Sequence, residues 1–171
     1  TLNRLRSTGE TDKRLCSVVY KSRSKGVANW ELIDSILASS SRNNPENGIT
    51  GVLVATETHF LQVLEGEFKT LNETLETISR DSRHDNIQLV SFTDINKRSF
   101  GHWAMHGIGL FDLNRELDRR LRDKFSEEDG SVRLPTTMND VMDMLNIMLP
   151  EGHLQKGPET YPFKETPLYP A

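Results

Sequence analysis

Gln62 is a lone amide inside the apolar run Phe60-Leu61-Gln62-Val63-Leu64-Glu65-Gly66, in which five of seven residues are apolar or glycine. Such a run reads as a buried strand. An unsatisfied buried polar group costs roughly 1–3 kcal/mol, so a protein group or a ligand must meet this side chain. Tyr20 is a second polar group in the same situation. It closes the run Arg14-Leu15-Cys16-Ser17-Val18-Val19-Tyr20, with Ser22 at the next alternate position. Strand parity places Phe60, Gln62 and Leu64 on one face, Val18, Tyr20 and Ser22 on one face, and Trp103 and Met105 on one face. If these faces lie under helices, Tyr20, Gln62 and either Trp103 or Met105 meet in one pocket. Each residue taken alone has a plainer reading, as a satisfied core tyrosine, a strand amide or ordinary packing.

Other arrays carry less. His102-x3-His106 would share a face of a strand, but no third ligand stands at suitable spacing, and no metal is expected. Cys16 sits in an apolar strand and reads as inert. Nothing has the pattern of a Ser-His-Asp array or a phosphate-binding glycine loop.

Several motifs occur in a specific order: Ser17-x-x-Tyr20, Asn44 before the turn Gly48-Ile49-Thr50-Gly51, and Phe60-x-Gln62-x-Leu64-Glu65-Gly66. Asp81-x-Arg83-His84 and Arg98-x-Phe100-x-x-Trp103-x-Met105 follow. This set resembles the BLUF family of blue-light sensors using flavin, over about residues 14–110. A flavin ring suits a slot of the kind described, apolar with a few donors and acceptors at one edge. The resemblance implies a non-covalently bound flavin, FAD with FMN or riboflavin as alternatives. It implies that Asn44 bonds the polar edge of the ring, that Arg83 donates to the far carbonyl, and that His84 contacts the ring. The helix bearing Ile33 and Ile36 would form one wall, and Tyr20 and Ser22 would lie at the site. Gln62 would sit between Tyr20 and the flavin. Light would drive electron and proton transfer from Tyr20 through Gln62, leaving the amide rotated or tautomerised and the visible band shifted to the red. The strand around Trp103 and Met105 would carry the change outward, so the expected output is rearrangement rather than enzyme turnover. One departure is Asn43, where some relatives carry histidine. Asn44 and its neighbours Pro45 and Gly48 also read as a polar turn.

Around these residues the pattern gives strand 14–21, helix 29–42, strand 50–56, strand 59–65, helix 68–80, strand 86–95 and strand 102–110. Asn29 is the expected N-cap of the first helix, and Thr70-x-x-Glu73 has the form of a capping box for the second. The order βαββαββ predicts an α+β ferredoxin-like sandwich, a five-stranded mixed sheet with both helices on one face. Residues 1–13 read as a tail and 111–150 as a two-helix cap. Its helices are 113–125 and 138–149, the second presenting a methionine-rich apolar surface. Residues 151–171 read as a proline-rich tail without regular structure.

The chain has 171 residues and a formal net charge of −4 with both signs interspersed. That gives no electrostatic case for nucleic acid or an anionic membrane. No apolar run approaches the ~20 residues of a membrane span, and the single cysteine suits a cytoplasmic setting. Thr1 opens the chain, as in a processed or excised piece. The expected protein is a short BLUF photosensor, a homo-oligomer with an unknown downstream partner. The alternatives are a photosensory module of a nucleotide cyclase or cyclic-di-nucleotide phosphodiesterase, and a ferredoxin-like binding module that does not use light.

Overall fold

The computed structural model describes residues 12–101 and 104–149, together with the backbone of 165–166. The first six elements are β1 (Leu15–Ser24), α1 (Trp30–Asn47), β2 (Thr50–Ala55), β3 (His59–Glu67), α2 (Phe68–Ser79) and β4 (His84–Asp94). They are followed by β5 (Met105–Gly109), α3 (Arg115–Phe125), α4 (Met138–Met148) and the two-residue β6 (Glu165–Thr166). The sheet order is β4-β1-β3-β2-β5-β6. β1 pairs antiparallel with both β3 and β4, β2 and β3 form a hairpin, and β5 runs parallel to β2. The first four strands thus have ferredoxin-like order, as the element sequence predicts, and β5 extends that sheet.

Strand β4 is largely exposed, while β1, β2, β3 and β5 are buried on both faces. On one, Val18, Tyr20, Leu53, Phe60, Leu64 and Met105 pack with Ile33 and Leu37 of α1 and Leu71 of α2. On the other, Val19, Val52, Val54, Leu61, Val63 and Ile108 pack with Leu121, Phe125, Val141, Met144, Leu145 and Met148. The period of two in each strand divides one sheet between two cores. The methionine-rich helix α4 therefore commits Met144 and Met148 to the interior, leaving Met138 and Met142 only partly buried.

Asn29 caps α1 as expected, accepting from the Leu32 N–H at 3.0 Å. The helix does not stop at residue 42, however, but continues through Pro45 to Asn47. It ends where Gly48 takes a left-handed conformation (φ 64°) and the Ile49 N–H closes on the Asn44 carbonyl at 2.9 Å. The expected polar turn is thus the last turn of α1, and Asn44 is a buried helical residue. The capping box at Thr70 is also not used. The N-cap of α2 is Glu67, with no side-chain cap, and Thr70 lies inside the helix. Trp103 and His102 fall outside the described residues, and β5 begins at Met105 rather than 102.

Candidate functional site

Register brings the two lone polar groups together. Tyr20 of β1 stands directly opposite Gln62 of β3, which stands opposite Leu53 of β2. A shift in the β1–β4 pairing falls between Val19 and Tyr20, beside the phenol. The Tyr20 hydroxyl donates to Gln62 Oε1. That contact orients the amide, so Gln62 Nε2 faces the other way and donates to Met105 Sδ at 3.4 Å. Tyr20 is 4% exposed, Gln62 5% and Met105 0%. Burial pushes the Tyr20 phenol well above its usual value, and the Asp81 carboxylate adds to the shift. Tyr20 is therefore a neutral donor.

Above this pair lies a half-open slot of about 400 Å³ between α1, α2 and the sheet. Its floor is Tyr20, Leu53, Phe60, Gln62 and Leu64. Ile36, Ser39, Ser40 and the three asparagines 43, 44 and 47 form the α1 wall. Thr74, Thr77 and Ile78 of α2, with Asp81, Arg83 and His84, form the facing wall. Asn44 donates through Nδ2 to the Ala104 carbonyl at 2.7 Å, tying the end of α1 to the residue before Met105.

Arg83 is paired with Asp81 at 2.5 Å and reaches Ser35 Oγ across the slot at 3.1 Å. The guanidinium holds the Asp81 carboxyl below its ordinary value, and Asp81 raises Arg83 in turn. His84 is held at both nitrogens. Nε2 lies 2.7 Å from the Ile78 carbonyl, an obligate acceptor, so it carries the proton. Nδ1 lies 2.7 Å from Ser22 Oγ. The His84 and Tyr20 rings meet edge to face, with centroids 6.2 Å apart.

Of the sequence-predicted residues, Tyr20, Ile36, Asn44, Gln62, Arg83 and His84 line the slot, and Met105 is reached through Gln62. Two stand behind it. Ser22 touches His84, and Ile33 packs in the core beneath, against Gly107 of β5, where an added methyl would come 3.3 Å from its Cγ2. The sequence reading named Asp81 in a motif without giving it a role, and gave none to Asn47 or the two α2 threonines. It also named Glu65 in a motif without a role, and that carboxylate, only 2% exposed, holds two consecutive backbone N–H groups. Glu65 had the same signal as Gln62, a polar residue inside an apolar strand.

An apolar-floored slot with polar walls thus lies over a buried phenol–amide pair on a ferredoxin-like sheet. The family described as "BLUF: Sensors of blue-light using FAD" matches residues 15–106, and the chain belongs to it. The blue light- and temperature-regulated antirepressor BluF of Escherichia coli (strain K12) is 28% identical over 127 residues, 74% of this chain and 30% of that protein. The photoactivated adenylate cyclase subunit alpha of Euglena gracilis is 27% identical over 115 residues, 67% of this chain and 11% of that one. This chain thus spans less than a third of the length of either curated relative. The dark-state structure of BlrB, a BLUF protein, matches with a TM-score of 0.59 at 32% identity, covering 64% of this chain and 83% of BlrB. Residues 15–106 are thus a sensor domain of the family that uses a flavin to sense blue light. Among the described residues no helix is long and apolar enough to cross a membrane.

Proposed function

We propose that FAD lies in the α1–α2 slot, that Tyr20 and Gln62 are the switching pair, and that Met105 is the first residue to read the switch. The observation that carries this reading is the Gln62 amide, buried with an acceptor bonded to a phenol on one side and a donor bonded to a thioether on the other. The slot fits the ring in kind. Its volume of about 400 Å³ lies in the range of small-molecule sites, and its walls supply the amide of Asn44, the guanidinium of Arg83 and hydroxyls. Arg83 and Asn44 are the residues assigned to hold polar edges of the ring. Ile36 is assigned to pack against its face.

The flavin, when bound, supplies absorption of blue light and a ring able to take up an electron and a proton. Tyr20 is the group able to release both, being neutral and already hydrogen-bonded to Gln62 Oε1. A half-turn of the Gln62 amide would exchange its donor and acceptor. A phenol tolerates that exchange, because a hydroxyl both donates and accepts. A thioether does not, because its sulfur only accepts, so the amide oxygen would be turned against Met105 Sδ. One rotation would therefore leave the Tyr20 contact in place and expel Met105. That is a bistable element of the kind a local hydrogen-bond change can bias.

The sensing unit is assigned to residues 14–110 and a cap to 111–150. Output is a changed surface offered to a second copy or a partner chain, in a cytoplasmic setting and without turnover by this chain. The short share of the curated relatives that this chain spans favours a second reading, a sensor module of a longer protein. Immunoblotting of the native protein for its size decides between them.

The first test is the visible spectrum of purified protein before and after blue light. A flavin band that moves to the red and returns in the dark is expected. A flavin that never shifts would remove the switching role of Tyr20 and Gln62. Chromatography of the released cofactor separates FAD from FMN and riboflavin.

A further inference from the structure

Glu65 stands three residues after Gln62 on β3, on the opposite face of the sheet. Its neighbours across the strands are Thr50 of β2 and Ser17 of β1, both buried. One carboxylate oxygen accepts from the Ser99 N–H at 2.7 Å and the other from the Phe100 N–H at 2.6 Å. Two consecutive amides on one carboxylate fix both the position and the orientation of the chain that carries them. The residue just before them adds a second grip. Arg98 Nη1 donates to Thr50 Oγ1 at 2.8 Å and to the Glu65 carbonyl at 2.9 Å, while Nη2 donates to the Gly48 carbonyl at 2.7 Å. Phe100 is then buried in the core under the cap helices, and Met105 in the core under α1.

Phe100 and Met105 thus lie in different cores, on opposite faces of the sheet. Ser99 and Phe100 are held by Glu65, Arg98 by its three acceptors, Ala104 by Asn44 and Met105 by Gln62. A buried carboxylate is a costly way to fasten a loop for stability alone. What it supplies is placement.

We propose that Glu65, supported by Arg98, is a positioning residue of the light switch: by fixing the chain at Ser99 and Phe100 it sets where Met105 meets the Gln62 amide. This rests on the reading of Gln62 and Met105 as switch and reader. It adds that β3 holds both Phe100 and Met105, through Glu65 on one face and Gln62 on the other. Release of Met105 by the amide would then leave Phe100 as the fixed point.

The test is made on the full chain with flavin bound, in the dark, so that it does not depend on photochemistry. With methionine methyls labelled, the Met105 resonance is one of five and is assigned by its loss in Met105→Leu. Glu65→Gln keeps the shape but turns an amide NH2 toward one of the two N–H donors. It should displace the Met105 resonance and speed exchange of the Ser99 and Phe100 amides roughly five-fold or more, as expected for one lost hydrogen bond. Arg98→Lys, which cannot span three acceptors, should do the same and serves if Glu65→Gln does not fold. A Met105 resonance that stays in place while the two amides exchange faster would overturn the proposal, leaving Glu65 a local fastener. Dark recovery after illumination adds a coupling test. Glu65→Gln should change the recovery rate of the parent protein and have little further effect in the Met105→Leu background, whereas additive effects would also overturn the proposal. A parent protein with no light-induced shift would count against the switch reading, and the Met105 resonance would still decide the role of Glu65.

Discussion

At the scale of single residues, the site depends on which atom of each polar group is already committed. Tyr20→Phe keeps the ring and its packing and removes the one donor to Gln62 Oε1. The variant should purify with a normal flavin-to-protein ratio and show no red shift under blue light; a shift of parental size would end the role assigned to Tyr20. Burial sets a second expectation. An unfolded tyrosine ionises near 10, while the folded Tyr20 phenol is pushed above that value. As pH rises past 10 the unfolded chain loses this proton and the folded chain keeps it, so the raised group favours unfolding. Wild type should therefore lose more stability than Tyr20→Phe above pH 10 and the same below it, as read from urea midpoints at a series of pH values. Asn44 has Nδ2 committed to Ala104, which leaves Oδ1 to meet a ligand. Asn44→Ala should lower the flavin-to-protein ratio after gel filtration, and an unchanged ratio would assign Asn44 to the Ala104 contact alone.

At the scale of elements, periodicity made the faces legible and left the registers hidden. The alternation in β1 and β3 put Tyr20 and Gln62 on the core faces of their strands, but that they stand opposite one another follows from how the β2–β3 hairpin and α1 place the strands. Both core helices and all five main strands were legible because their apolar positions recur with clear periods. The end of α1 was not. Pro45 reads as a terminator because it lacks an N–H and crowds the preceding turn, yet Gly48 closes the helix beyond it and carries Asn44 into the interior. The stretch around Asn44 was thus read as a turn where it is the last turn of α1. Glu65 was named in a motif but given no role, because its partners are backbone amides 34 and 35 residues away, which no local pattern reports. Gly48 supplies a check on the helix end. An alanine there must hold a left-handed conformation at a cost of roughly 1–2 kcal/mol. Gly48→Ala should lower the urea midpoint accordingly and weaken flavin retention, since Asn43, Asn44 and Asn47 all ride on that last turn.

At the scale of the whole molecule, one sheet separates two cores that share strand backbones and little else. The core under α1 and α2 holds Tyr20 and Met105, and the core under α3 and α4 holds Met144, Leu145 and Met148. Leu145 is fully buried, so Leu145→Ala should destabilise the protein by about 2–5 kcal/mol, as large-to-small changes in packed cores do. Denaturant unfolding would read this as a lower midpoint with an unchanged slope. The dark flavin band should not move, because no atom lost in that substitution lies on the face that forms the slot. Dark recovery is the more informative measurement on the same variant. If Phe100 is the fixed point for the release of Met105, loosening the cap-side core around it should change how quickly the switched state relaxes while leaving the dark band fixed. Recovery at the parental rate, alongside the full loss of stability, would mean that the two faces are energetically independent, and the signal would then have to leave through α1 and its contact with Ala104.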